Sequence, residues 1–199
     1  MYEARNSIYC YPNSNVLINK LDIRDGNKLY EYEKRIVSLK LLALQMQGIT
    51  GNFNIQHFIS IHKYLFEDLY EFAGKFRSEN IAKDNFSFAD YQYIESELKR
   101  LLEQLKKENY LQGIEKEELS KKIASYWADL NVLHPFREGN GRATREFLRQ
   151  LCLKNGYELN IQNVESSEFL KASKQSVYDE TMLAELVYKS LNLKVDKHN

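Results

Sequence analysis

HPFREGNGRATR, residues 134–145, is the stretch on which the reading of the fold turns. It stops the firmest helical pattern in the chain and starts the next. Before it, Leu119, Ile123, Tyr126, Leu130 and Leu133 step by four, three, four and three, with Trp127 beside the stripe; this is the period of an amphipathic helix. Proline disfavours helix in the residue before it, so the helix ends at His134-Pro135. After it, Arg142, Arg145, Phe147, Leu148, Leu151 and Cys152 carry a second helix from near Gly141 to Asn155-Gly156, a good C-terminal cap. Helices joined by so short a loop are expected to lie close to antiparallel. His134 then stands at the mouth, with Arg142 and Arg145 three apart on one face of the second helix.

Outward from this pair the pattern stays helical. Leu29, Tyr32, Ile36, Leu39 and Ala43 predict a helix over 28–47, ended by Gly48-Ile49-Thr50-Gly51. Asn54 suits an N-cap for a helix with the stripe Ile55, Phe58, Ile59, His62, Leu65, Phe66 and Leu69. His62 lies in that stripe and reads as a packed core histidine; His57 lies off it and reads as solvated. Residues 72–88 break the period, with Phe76, Ile81, Phe86 and Phe88 spaced as strand residues between turn formers. A lone hairpin buries little by itself, so it is either a loop plugged onto the helices, which composition favours, or a flap at a site. Tyr91, Ile94, Leu98, Leu101 and Leu105 predict a helix to about Glu108, and two more follow near 166–173 and 179–191. Turn formers crowd residues 1–27, an irregular arm with one short helix expected over 16–21. The expectation is an all-α bundle with one β-hairpin flap at about 75–88, in a single domain: arm 1–27, helical core 28–192, tail 193–199.

Composition narrows the function. Lys+Arg and Asp+Glu are both 28 in 199 residues, so net charge gives no nucleic-acid footprint, although Arg137, Arg142, Arg145 and Arg149 concentrate charge locally. No direct nucleic-acid partner is expected. Cys10 and Cys152 lack metal or redox spacing and read as free thiols of a reducing compartment. No run approaches the ~20 apolar residues of a membrane span, and the first ten residues lack the apolar core of a signal peptide. A cytoplasmic protein without a membrane partner is expected.

The central stretch suits phosphate chemistry. Gly139-Asn140-Gly141 can present consecutive amides as an anion nest at a helix N-terminus, while Phe136 turns inward to anchor the loop. A triphosphate there meets those amides and Asn140 at one phosphate and the two arginines at the others. Glu138 would repel phosphate unless Mg²⁺ sits between them, since that ion takes one or two carboxylates plus phosphate oxygens. His134, with a reference pKa of about 6.5, can be neutral and take a proton from an incoming hydroxyl.

Residues 134–145 match, without a departure, the Fic family pattern HPFx(D/E)GNGRxxR. Tyr70-Glu71-Phe72-Ala73-Gly74 with Arg77 and Ile81-Ala82-Lys83 resembles the family's flap region, and the similarity covers roughly 11–191. The resemblance implies an adenylyltransferase that moves AMP from ATP onto a protein hydroxyl and releases pyrophosphate. It makes His134 the general base and Glu138 the Mg²⁺ ligand. The ATP-binding set becomes Phe136, Arg137, Gly139, Asn140, Gly141, Arg142 and Arg145, with Arg145 on the γ-phosphate. The hairpin becomes a flap that pins an extended target segment, through Ile81 and Lys83. Relatives similar to Doc, which phosphorylate their target, usually carry Lys where Gly141 stands, so Gly141 favours AMP transfer. Many members are restrained by (S/T)xxxE(G/N), whose Glu pairs with the arginine matching Arg145. Ser176–Glu180 and Thr181–Glu185 lack its last residue and read as ordinary helix. The chain thus resembles toxins inhibited by a separate small antitoxin, whose known targets are type II topoisomerase subunits, and the arm and helix 28–47 would help to dock that antitoxin. Another donor (UMP, phosphocholine or phosphate) and a non-catalytic nucleotide- or protein-binding module are the alternatives.

Overall fold

The computed structural model describes residues 7–49, 51–83, 86–161 and 164–194. Seven α-helices occur among them: α1 Gly26–Gln47, α2 Ile55–Phe66, α3 Ile94–Lys107, α4 Lys116–Leu133, α5 Asn140–Lys154, α6 Ser166–Gln175 and α7 Thr181–Ser190. Two small antiparallel pairs join them. β1 Ala82–Lys83 pairs with β2 Phe86–Ser87 in the hairpin, and β3 Tyr157–Leu159 pairs with β4 Leu191–Leu193. The second pair was not expected. Each of its strands has three residues and follows a helix end, too short for an alternating pattern to show.

The core forms where the apolar stripes converge. Leu119, Ile123, Leu130 and Trp127 of α4 are buried, as are Leu183, Leu186 and Val187 of α7, and these two helices make the most extensive contact of any pair. Trp127 packs on Phe169 of α6, ring centroids 4.7 Å apart. On the other side α2 packs against α5, with Phe58 edge-on to Phe147 at 5.3 Å. Asn54 caps α2, its side chain accepting from the His57 amide at 2.9 Å.

Three expectations fail, each for a local reason. The arm has no helix over 16–21. Asn19 is buried there and bonds through both ends of its amide, donating to the carbonyls of Leu17 and Ile23 and accepting from the amides of Leu21 and Ile23; such side-chain bonds outcompete a helix. His57 is buried rather than solvated: its Nδ1 accepts from the Phe53 amide at 3.3 Å and its Nε2 meets Gln150 Oε1 at 2.9 Å. On α1 the inward residues are Leu29, Glu33, Val37 and Leu44, while Tyr32 and Leu39 are exposed. The helix is turned about one residue from its most apolar face, because a carboxylate occupies its inner stripe.

Candidate active site

α4 ends by turning left-handed at His134, φ 45°, the amide of which still bonds to Leu130 at 3.1 Å. For a non-glycine residue that conformation costs about 1–2 kcal/mol and must be held by its surroundings. Arg77 supplies the hold. It is 2 % exposed, and its guanidinium donates to the carbonyls of Leu133 (3.2 Å), His134 (2.9 Å), Glu79 (2.8 Å) and Ala89. Its own amide donates to Pro135 at 2.9 Å. One buried cation thus ties the last turn of α4 to both feet of the hairpin.

The imidazole of His134 is placed and polarised by the same packing. Nδ1 lies 3.1 Å from the Asn131 carbonyl; a carbonyl only accepts, so Nδ1 carries the hydrogen and Nε2 is the basic nitrogen. Phe88, just past the hairpin, stacks on the ring at 3.9 Å. Burial lowers the pKa of His134 to about 3, with the Arg77 and Lys83 charges acting in the same direction against the Asn131 bond. The ring is neutral in the free protein.

The loop that follows is braced from inside. Phe136 is fully buried and lies flat on His62, centroids 3.7 Å apart, with Phe58 at 5.5 Å. His62 in turn donates from Nε2 to the Glu138 carbonyl and accepts at Nδ1 from the Gly74 amide, both at 2.9 Å. It is the packed core histidine expected of its stripe. Asn140 closes the loop on itself, accepting from the Phe136 amide at 2.8 Å and donating to the Phe136 carbonyl at 2.7 Å. Gly139 has φ 81°, and a Cβ there would lie 2.2 Å from the Phe66 ring, so both conformation and space demand glycine. Gly141 is different. It is exposed with nothing within 4 Å of a Cβ, and packing does not require its lack of a side chain.

α5 begins at Asn140, and the amides of Arg142 and Ala143 bond back to the Gly139 carbonyl. Those of Asn140 and Gly141 precede the first intrahelical acceptor and face out along the axis, where the helix end favours an anion. Arg142 reaches Glu33 Oε1 of α1 at 2.5 Å and Glu138 Oε1 at 3.5 Å, and lies over Phe66 at 4.7 Å. Glu138 Oε1 also accepts from the Gly139 amide at 2.9 Å. Burial and the nearby Glu33 raise the Glu138 pKa. Glu33, Glu138, Arg142, Arg137, Tyr70 and Lys83 line a cavity of about 530 Å³ between α1, the arm and the motif. Exposed Arg145 lines a neighbouring cleft of about 390 Å³ with Arg142 and with Leu41 and Gln45 of α1.

The remaining expected residues take other places. Arg137 is buried and turns to Glu79 at 3.0 Å, with Cys10 Sγ at 3.8 Å. Glu79 also accepts from Ser7 Oγ at 2.6 Å, so this arginine joins the motif to the arm. Arg149 pairs through two bonds with Glu146. The Ile81 side chain is buried, whereas Lys83 stands half-buried at the cavity. Glu180 and Glu185 line a separate cavity beside Glu117 and Lys121; Ser176–Glu180, expected as helix, instead forms the turn between α6 and α7, whereas Thr181–Glu185 opens α7. Glu33 was not anticipated at the site, and Tyr70 and Phe88 were expected only as parts of the flap region, without a role. Phe88 could have been found from its spacing in the hairpin; Glu33 carries no signal beyond being one of many charged residues on α1.

These features have counterparts in known proteins. Residues 52–152 match the Fic/DOC family. Protein adenylyltransferase VbhT of Bartonella schoenbuchensis is 39 % identical over 191 residues, 96 % of this chain, which spans 40 % of VbhT's length. The probable protein adenylyltransferase y4lH of Sinorhizobium fredii is 36 % identical over 172 residues, 86 % of this chain and 88 % of its own. Among solved structures, the BepC effector of Bartonella tribocorum with bound AMPPNP superposes with a TM-score of 0.87 at 26 % identity, covering 93 % of this chain and 96 % of that one. With more than half its length matched by the family, residues 134–145 among it, the chain belongs to the Fic/DOC family.

Proposed function

We propose that this chain is a protein adenylyltransferase that moves AMP from ATP to a hydroxyl side chain of a target protein and releases pyrophosphate. The observation that carries the reading is the His134 imidazole, held neutral by burial with its Nδ1–H on the Asn131 carbonyl and Nε2 the basic nitrogen, at the head of the loop that leads into the α5 N-terminus. The hydroxyl oxygen attacks the α-phosphorus and its proton passes to Nε2. The bond to the β-phosphate oxygen breaks as the new P–O bond forms, and the leaving pyrophosphate keeps that electron pair. The amides of Asn140 and Gly141 and the Arg142 guanidinium meet the α- and β-phosphates, and Arg145 takes the γ-phosphate. Phe136 and the Asn140 side chain hold the loop shape, and Arg137 and Gly139 set its edges. An arriving polyphosphate supplies the negative charge that makes imidazolium acceptable, so the base strengthens when it is needed.

The donor set suits magnesium. No three His, Cys, Asp or Glu side chains cluster as a metal site among the described residues, so an ion would rest on Glu138 together with phosphate oxygens, the sparse protein ligation this ion tolerates. When bound, it offsets charge building on the leaving group.

Lys83 at the cavity and the backbone around Ile81 are the hairpin groups that would hold an extended target segment. Restraint by a small antitoxin carrying (S/T)xxxE(G/N) is supported by the exposure of Arg145 and by the exposed row Tyr32, Leu39, Leu42 and Met46 on α1, a face suited to a helix. No described helix is long and apolar enough to cross a membrane; a cytoplasmic target such as a topoisomerase subunit rests on the resemblance alone. Incubation with ATP labelled at the α-phosphate and a bacterial lysate should leave label on a protein, and mass spectrometry should show an added AMP. His134→Ala should abolish transfer, and Arg145→Ala should lower it roughly 100–1,000-fold. An unlabelled lysate, or equal labelling with His134→Ala, would overturn the reading.

A further inference from the structure

We infer that Glu33, on α1, is a positioning residue for nucleotide binding: it holds the Arg142 guanidinium in the orientation that receives phosphate. The inference rests on the proposed ATP-dependent reaction and adds to it a residue from outside the motif.

Glu33 is buried, 7 % exposed, and faces inward from a helix whose neighbouring turns present leucine and valine to the core. Taking an ionised carboxylate out of water is costly unless it is paired and hydrogen-bonded. Here both oxygens are used, Oε1 by Arg142 at 2.5 Å and Oε2 by the Tyr70 hydroxyl. Tyr70 is 1 % exposed and stacks on Phe72 at 4.6 Å, so it cannot swing aside. Glu33 is therefore a fixed anchor.

Arg142 is held on three sides, by Glu33, by Glu138 and by the Phe66 face. Each carboxylate contact uses the same terminal nitrogen, NH2. A guanidinium carries five N–H donors in a rigid fork, so the fork keeps donors for phosphate oxygens while its plane stays set. Without the anchor, a long side chain beside an open cavity would sample several rotamers, and binding would have to order it. Glu33 is the more rigid of the two carboxylate contacts, since Glu138 is more exposed and lies on the loop itself.

The test is a double-mutant cycle on ATP-dependent transfer. Glu33→Ala should raise the KM for ATP about tenfold and change kcat less. Glu33→Gln, which keeps an acceptor for Arg142 and a partner for Tyr70, should recover most of that loss. Tyr70→Phe should move KM the same way by a smaller factor. In the Arg142→Ala background, Glu33→Ala should add no further loss or recover part of it, because Glu33 acts through Arg142. Losses that multiply in the double variant would show a merely structural role and overturn the inference. So would tighter ATP binding in Glu33→Ala, which would make the contact inhibitory. If the wild-type chain neither binds nor uses ATP, the proposed reaction and the inference that rests on it fall together, whereas multiplying losses in a chain that does use ATP overturn the inference alone.

Discussion

At His134 one residue is asked to be strained, buried and basic together, and the surroundings account for each. Arg77 holds the left-handed turn through the Leu133 and His134 carbonyls, the Asn131 carbonyl fixes the tautomer, and Phe88 covers one face of the ring. A testable consequence concerns pH. The proposed transfer needs the neutral imidazole, and a pKa lowered to about 3 means that protonation begins only far below neutrality. The kcat/KM for ATP, which reports the free enzyme, should keep its pH 8 value down to about pH 6, where a base with the ordinary pKa of about 6.5 would already have lost more than half. An acid limb centred near 6.5 would show that His134 is not buried as described. Within 134–145 the helix stop at His134, the inward Phe136 and the helix start after Gly139 were legible, because glycine and proline at fixed spacing leave few geometries. Glu33 was not legible, since its partners lie 37 and 109 positions away. Local pattern cannot distinguish an inward glutamate that has an arginine waiting from one of the solvated glutamates beside it.

Elements were readable in proportion to their length and period. α4 shows its stripe at every step, and its predicted end at His134 coincides with the left-handed turn. α1 was found, with Leu29 inward and Ile36 half-buried as its stripe implied but Tyr32 and Leu39 outward. Periodicity weighs only apolar side chains, and the inward Glu33 displaced the count towards Tyr32 and Leu39, which stay exposed. The hairpin was placed correctly in sequence, yet its paired strands are only Ala82–Lys83 and Phe86–Ser87. What fixes so small an element is Arg77, through backbone carbonyls that no sequence pattern encodes. Arg77→Ala would leave the carbonyls of Leu133, His134, Glu79 and Ala89 without that donor in a buried setting. The expected cost is about 3 kcal/mol or more, read as a lower urea midpoint at unchanged m-value. Arg77→Lys, with three donors on a point charge, should fall between the two. A midpoint within error of the wild type for Arg77→Ala would mean that the hairpin is held from elsewhere.

Across the whole molecule, the site is assembled where separate parts of the chain meet, and two buried histidines sit at the junctions. His62 links α2 to the motif loop and to Gly74, and His134 links α4 to the hairpin. Burial depresses both pKa values to about 3. In the unfolded chain the same rings take up protons near pH 6.5. Between about pH 6.5 and 3 the unfolded state therefore binds more protons than the folded one, so stability rises with pH in this window and is lost as pH falls through it. By pH 5 the penalty is about 2 kcal/mol for each ring. Equilibrium urea unfolding at pH 7.5 and pH 5.0 should therefore show a clear drop at the lower pH, before most carboxylates begin to titrate. His62→Gln, which keeps a donor and an acceptor on the ring's side of the packing, should be less stable at pH 7.5 but lose less on acidification. A midpoint that is unchanged or higher at pH 5.0 would contradict the burial of these rings, and with it the neutral base that the proposed transfer requires.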